Sequence, residues 1–283
     1  MIEEQEIRPE IEENTTLVTE PLPVEQESPP KPSTSPKSVI REYFESAIVT
    51  VIMALFGMTF VVQAVKVPTG SMQNNILIGD HLLVNKFAFA PHPKWMEGIF
   101  PFRQIKRGDV IVFKYPKDTT TNYVKRVIGM PGETIEVRGS RVFINGEELP
   151  EQRAVAEDKS NDAPLEVRSV GEAPPGSSYT VYYRNTEDDD VGVADYGRGE
   201  YGVNKPLNIP EGHYFAMGDN RDNSADGRVW GTVPRDYIIG RALIVYWSID
   251  RTKDYDTEDN KGSNFLVDFL TRTRWSRTGK LIK

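Results

Sequence analysis

The stretch KVPTGSMQNN, Lys66 to Asn75, presents Ser71 in a turn of small residues directly after the only long uncharged run in the chain. A serine hydroxyl becomes a useful nucleophile only when a neighbouring base takes its proton. The sequence has no cysteine and three histidines, His81, His92 and His213, none at metal-ligand spacing from another and none beside an obvious nucleophile. Lysine is then the remaining nitrogen base. At an ordinary pKa near 10.4, roughly one lysine in a few thousand is neutral at pH 7, but burial can lower that pKa by about 3–5 units. Lys125, in Tyr123-Val124-Lys125-Arg126-Val127-Ile128, is the best placed. Period-two alternation puts it on one face with Tyr123 and Val127, which reads as the inward face. Arg126 falls on the opposite face with Val124 and Ile128, and a guanidinium is no base. Taken alone, a lysine inside a strand more often snorkels or guards an edge, and a Gly-Ser pair is common turn material.

The elements that must hold these two residues are mostly strands. HLLVNKFAF, DVIVFKY, YVKRVIG, TIEVRG, RVFINGEEL, SSYTVYY, HYFAMGD and ALIVYW read as short strands separated by Gly, Pro, Asn or Asp. Asn145-Gly146 is a two-residue hairpin signal. The expected fold is a mainly β ectodomain behind one N-terminal transmembrane helix. That helix is expected across Ala47–Val65, nineteen uncharged residues whose polar side chains are only Thr50, Thr59 and Gln63. A cleaved signal peptide would lie nearer the N-terminus, and a buried soluble helix would show a polar face.

The predicted organisation is a disordered, acidic, proline-rich tail over 1–40, an anchor over 41–66, and a catalytic β-rich part over 67–283 with a variable insertion at about 134–210. Residues 1–46 carry 11 acidic and 4 basic side chains, so the net charge of −8 sits almost wholly there. The near-neutral remainder lacks the basic face that nucleic acid requires. Glu187 to Asp190 read as a solvated acidic loop, since a calcium loop needs alternating ligands and a turn glycine. The C-terminal stretch NFLVDFLTRTRWSRTGKLIK, with five basic residues between Arg272 and Lys283 and Trp275 among them, reads as a surface helix packed on the domain, with contact to anionic lipid headgroups as the alternative. Pro91 to Phe102, with Trp95 and Lys94, reads equally as an interfacial segment or as core.

PTGSM (Pro68–Met72), LIGDHLLVNKF, RGDVIVFKYP (Arg107–Pro116), YVKRVIGMPGE (Tyr123–Glu133) and GDNRDNSADGRVWG (Gly218–Gly231) resemble, in order, the boxes of bacterial type I signal peptidases, the S26 serine protease family. The resemblance runs from about residue 45 to the C-terminus. It implies Ser71 as nucleophile and Lys125 as general base, with Ser224 orienting the lysine amine and Asp226 and Arg228 bracing the site. It further implies that Thr69 helps the Ser71 backbone N–H bind an oxyanion, and that Gly70, Met72, Gly218, Asp219 and Asn220 line the same region. Asn74-Asn75 stands where the family usually has Pro-Thr, which should loosen the turn. Glu133 and Met130 replace a common aspartate and leucine. The Thr134–Pro210 segment matches only in being a β-rich insertion.

What the resemblance implies is a membrane-bound endopeptidase that removes signal peptides after small residues, with no metal or cofactor. Its partners are secretory preproteins and a phospholipid bilayer, its state monomeric. Its place is the bacterial inner membrane, single-pass, with the catalytic part on the extracytoplasmic side. Six residues separate Val65 from Ser71, a span of at most about 20 Å, so Ser71 should work close to the bilayer. The alternatives are a Ser/Lys peptidase with a dedicated substrate, or a catalytically silent peptide-binding homologue.

Overall fold

A computed structural model describes residues 39–57, 61–90, 102–157, 163–184, 199–250 and 265–283, without the side chains of 265–268. The tail, Pro91 to Pro101 and the acidic run lie outside the described residues. The chain divides into a unit up to Val49, whose described part is helical, and a unit from Thr50 onward that holds every described strand.

The first element is helix α1, Val39–Phe56, which starts ahead of the uncharged run with an Arg41–Glu45 ion pair of 2.8 Å. Its apolar part, Ala47–Phe56, spans only about 15 Å at 1.5 Å per residue. Residues 58–60 lie outside the described residues, and the expectation of a helix through Val65 is corrected by the element that follows them. Val62–Lys66 is a strand, β1, whose amides and carbonyls pair antiparallel with β2, Asp80–Asn85. Valines at 62 and 65 suit a pleated strand, and pairing with β2 overrides the apolar run's suitability for a helix. Among the described residues no helix is long and apolar enough to cross a membrane.

The remaining elements follow in order: β3 Val110–Tyr115, β4 Asp118–Gly129, β5 Thr134–Arg138, β6 Arg141–Ile144, β7 Glu147–Glu148, β8 Gln152–Glu157, β9 Glu166–Val170 and β10 Thr180–Tyr183. Then come β11 Leu207–Asn208, β12 His213–Met217, the short helix α2 Gly227–Trp230, β13 Val233–Pro234, β14 Ile238–Ser248, helix α3 Phe265–Arg272 and β15 Lys280–Leu281. The main sheet has eight strands ordered β1-β2-β14-β3-β4-β12-β13, with β15 also on β14. Smaller sheets run β10-β8-β9 and β11-β5-β6-β7. Among the described strands every pairing is antiparallel except β10 with β8.

Both faces of the main sheet are covered, which is why β3 reads as an unbroken apolar run. Val110 and Val112 face a core with Met72, Leu82, Val124 and Val245. Ile111 and Phe113 face the other way, into a core with Val127, Ala216, Trp230 and Val233. A third cluster joins Ile128, Phe215 and Met217 of the main sheet to Ile135, Val137 and Val142 of the β5–β6 hairpin. The hairpin between β6 and β7 turns at Asn145 and Gly146, both at positive φ (52° and 86°), as the Asn-Gly pair requires.

The C-terminal segment packs on the domain. Arg274 and Arg277 turn inward to Asp80, which is fully buried, with Arg277 Nη2 2.6 Å from Asp80 Oδ2. Two of the basic residues read as surface charge thus hold β2 to the end of the chain.

Candidate active site

The Ser71 turn is built from both sides of its sequence. Val67 and Met72 drop into the core, 3% and 1% exposed, and fix the turn's ends. Gln73 N donates to Gly70 O at 2.9 Å and Ile76 N to Met72 O at 2.7 Å, so the chain coils tightly around Ser71. A Cβ at Gly70 would meet Gln73 Oε1 at 2.6 Å, so a larger residue there would displace the Gln73 side chain.

β4 supplies the partner. Its register with β3 sets Lys125 opposite Ile111, at the point where the strand passes from exposed to buried. Lys125 Nζ donates to Ser71 Oγ at 2.5 Å, and the two residues are 3% and 7% exposed. Burial pulls the lysine down from 10.5 to about 8. The nearby carboxylate of Asp226 works against that shift and the Arg228 guanidinium adds to it. The amine also sits 5.3 Å from the centroid of the Tyr123 ring, on the face that alternation assigned to both residues.

The opposite face of β4 is equally buried. Arg126, 1% exposed, makes a two-pronged ion pair with Asp219, its Nε and Nη2 at 2.7 and 2.6 Å from the carboxylate oxygens. Its guanidinium stacks 4.1 Å from the Tyr179 ring centroid. Alternation gave Arg126 the right face but could not show that this face meets a wall.

That wall is the box from Gly218 onward. Gly218 lies so close to the serine turn that a Cβ would meet Ser71 O at 2.5 Å and Ser224 Oγ at 2.3 Å. Asn220 N donates to Ser71 O at 3.0 Å, and Asn220 Nδ2 to Gly70 O at 3.2 Å. Asp226 caps α2 by accepting from Arg228 N. It also accepts from Gly218 N at 3.0 Å and from Arg228 Nη2 at 2.8 Å. Burial pushes its carboxyl up, but the Arg228 charge and these hydrogen bonds outweigh that and hold it below the usual carboxylate range.

The Ser224 hydroxyl is buried beside the same face of Gly218 and has no hydrogen-bond partner among the described residues. It is brought to the site, yet makes no hydrogen bond to Lys125 here. Thr69 is exposed and lines the cleft with Ser71 and Lys125. That cleft holds about 320 Å³ and runs between the segment Val65–Met72 and the β4 residues Thr121–Lys125. His81 packs against the Trp247 ring, and His213 Nδ1 lies 3.1 Å from Glu211 O; neither is part of this cleft. Among the described residues no group of three or more His, Asp or Glu side chains is placed to hold a metal.

Several side chains in contact with the site make contacts that the sequence alone did not show. Asn74 and Asn75, expected to loosen the turn, instead hydrogen-bond to the insertion and to Asp219. Arg221 is 1% exposed and pairs with Glu151, which also accepts from Tyr179 Oη at 2.9 Å. Tyr182 N donates to Asp219 O at 2.8 Å. The insertion thus packs directly on the site, a contact between segments far apart in sequence that no local pattern marks.

The Ser71–Lys125 contact thus sits beneath a buried scaffold of acidic and basic side chains. Residues 40–247 match the family model described as signal peptidase, peptidase S26. The chain is 33% identical over 225 residues to signal peptidase I of Pseudomonas aeruginosa, covering 73% of this chain and 72% of the relative. It is 32% identical over 230 residues to signal peptidase I of Aquifex aeolicus, covering 74% of this chain and 85% of the relative. A solved signal peptidase I from Enterococcus faecalis V583 aligns at 28% identity over 49% of this chain and 97% of that one, with a TM-score of 0.31. The chain belongs to the S26 signal peptidase family and is a peptidase.

Proposed function

We propose that the chain is a membrane-bound serine endopeptidase that removes signal peptides from secretory preproteins by cutting after small residues, with Ser71 as nucleophile and Lys125 as general base. The observation that carries this reading is the 2.5 Å Ser71–Lys125 contact, buried at the floor of an open cleft. A lysine pulled to about 8 is neutral in a useful fraction of molecules near pH 7 to 8. In that form the Ser71 hydroxyl donates to the amine's lone pair, and the proton passes to Nζ as Oγ attacks the scissile carbonyl. The resulting oxyanion is met by the Ser71 backbone N–H and the Thr69 hydroxyl. Protonated Lys125 then donates to the leaving amine, which leaves an acyl-enzyme on Ser71. A water that gives its proton to the same lysine hydrolyses the ester. No step in this cycle calls for a metal or cofactor.

Ser224, buried and unpartnered beside Gly218, is the hydroxyl we assign to orienting the lysine amine. Asp226 and Arg228 fix the backbone that carries it. The bilayer reading is supported by α1, whose Ile48, Val49, Ile52, Met53, Leu55 and Phe56 are all exposed. An apolar surface of that kind seeks lipid. We read the chain as held at the bacterial inner membrane with its β part outside, acting as a monomer on substrates presented from the same bilayer.

The test is cleavage of a preprotein bearing an Ala-X-Ala site by the detergent-solubilised full chain beside Ser71→Ala and Lys125→Ala, with product N-termini read by mass spectrometry. Cleavage after the final alanine by the parent, lost in both folded variants, is the expected result. Cleavage that survives either substitution would remove the dyad, and a folded parent that leaves the preprotein intact would remove the substrate class.

A further inference from the structure

The turn that carries Ser71 continues into Gln73, Asn74 and Asn75, and all three side chains leave the turn to grip chain far away in sequence. Gln73 Nε2 donates to Ala163 O. Asn74 closes a two-bond clasp on one residue, accepting from Leu165 N at 2.8 Å and donating to Leu165 O at 3.3 Å. Asn75 Nδ2 donates to Thr180 O on β10 at 2.9 Å and to Asp219 Oδ2 at 2.7 Å. Both amide protons of Asn75 are therefore used, one on the insertion and one on the box that faces Ser71.

These contacts close a ring. Asp219 is followed by Asn220, whose N–H holds Ser71 O at 3.0 Å, while Asp219 itself holds Asn75. The Ser71–Asn75 turn is thus gripped at both ends by two adjacent residues of one box. That box is in turn fixed by the Arg126–Asp219 ion pair next to Lys125 and by Tyr182 N on Asp219 O. The ring leaves the turn little freedom to slide relative to β4. A donor is needed in this place, since Asp219 Oδ2 and Thr180 O both accept here and a carboxylate at position 75 would oppose Asp219.

Asn74 has a second reason to be asparagine. Its φ is 72°, in the left-handed region that asparagine tolerates and proline, locked near −65°, cannot enter. The Pro-Thr pair usual at these positions would therefore need a different turn. A threonine at 75 has one proton and could serve one of the two acceptors, not both.

We propose that Asn75, supported by the Asn74 clasp, is a positioning residue that sets Ser71 Oγ against Lys125 Nζ by tying the nucleophile turn to both the Asp219 box and the insertion strand β10. This rests on the Ser71–Lys125 reading. In consequence the insertion is part of the catalytic scaffold, and its loss should act on the rate of the chemical step rather than on substrate affinity.

The experiment compares full-length parent, Asn75→Leu, Asn75→Thr and Asn74→Gly in detergent, with Ser71→Ala as the blank. Three quantities are read: kcat and KM on an Ala-X-Ala preprotein, the rate at which a small serine-directed acylating reagent labels Ser71, and the near-UV circular dichroism with its melting temperature. Asn75→Leu removes both hydrogen bonds at similar volume. It should lower kcat and the labelling rate together by about 10- to 100-fold, the loss expected of a misplaced reacting group, with KM within about twofold. Asn75→Thr should recover part of that loss, since one acceptor is still served. Asn74→Gly keeps access to positive φ while removing the clasp, so it reads positioning even if Asn75→Leu does not fold. Folded variants whose kcat and labelling rate stay within about twofold of the parent would overturn the proposal, as would a change confined to KM. Failure of the two readings is separable: a parent that leaves the preprotein intact but is labelled at Ser71 fails on substrate class, while its labelling rate still reads Asn75. No labelling of the parent at Ser71 would sink both.

Discussion

Lys125 Nζ lies 2.5 Å from Ser71 Oγ, although 54 positions separate the two residues, because β4 is held in register against β3 while Val67 and Met72 pin the serine turn into the same core. The distance between the two groups is thus set by sheet pairing and core packing on both sides. Neither side chain has to be ordered anew when substrate arrives.

The first consequence is a pH profile. A base must be neutral to act, and Lys125 is held at about 8. The value of kcat/KM on a preprotein should therefore rise by about tenfold per pH unit below that point and level off above it. A titration of rate from pH 5 to 9 at constant ionic strength checks this, and a flat profile would contradict the lysine assignment.

Stability should move in the opposite sense when the lysine is removed. The folded chain holds Lys125 at about 8, against 10.5 for the free side chain, so between those values the unfolded state binds more protons. Burying the charged amine therefore costs stability. The cost is complete below about pH 8, fades as pH rises, and is gone above about 10.5. At pH 6 it amounts to about 3 kcal/mol. Lys125→Met, inactive by design, should unfold at higher denaturant than the parent at pH 6, with the difference narrowing by pH 10. Urea titrations at both pH values measure it.

Gly218 tests how closely the walls of the site approach. A Cβ at this position would meet the backbone oxygen of Ser71 at 2.5 Å, an atom that Asn220 N already holds. Gly218→Ala should cost about 1–3 kcal/mol of stability and lower kcat by about 100-fold, through displacement of the serine turn. Thermal melts and single-turnover cleavage read the two effects separately.

Much of the β architecture is written in local pattern. The alternation around Lys125 put Tyr123 and Val127 on its side of β4, and Asn145-Gly146 marked its hairpin. The bounds of β1 were not legible: Val62–Lys66 continues an apolar run that suits a helix, and only its pairing with β2, through residues about twenty positions on, makes it a strand. β8 and β9 escaped notice because QRAVAE mixes charges with small residues and buries only Ala154 and Ala156, while EVRSV is exposed throughout, so neither carries an apolar alternation. At the site, Ser71 and Lys125 stood out through residue type and box order. Arg126 was legible only as a side chain on the opposite face, Asn75 only as a departure from Pro-Thr, and Glu151 not at all, because each takes its meaning from a partner distant in sequence. Asparagine in a turn reads as turn chemistry until Leu165, Thr180 and Asp219 are seen around it.

The hydrogen bonds from Gln73, Asn74 and Asn75 to Ala163, Leu165 and Thr180 also bear on how such enzymes can be recombined. Insertions between catalytic boxes look like interchangeable modules, free to be swapped between relatives. Here the module and the Gln73-Asn74-Asn75 part of the serine turn are complementary halves of one joint. A chimaera that grafts in a relative's insertion while keeping this Gln-Asn-Asn would pair mismatched halves, so the joint has to be exchanged whole, and drift on either side of it is constrained by the other.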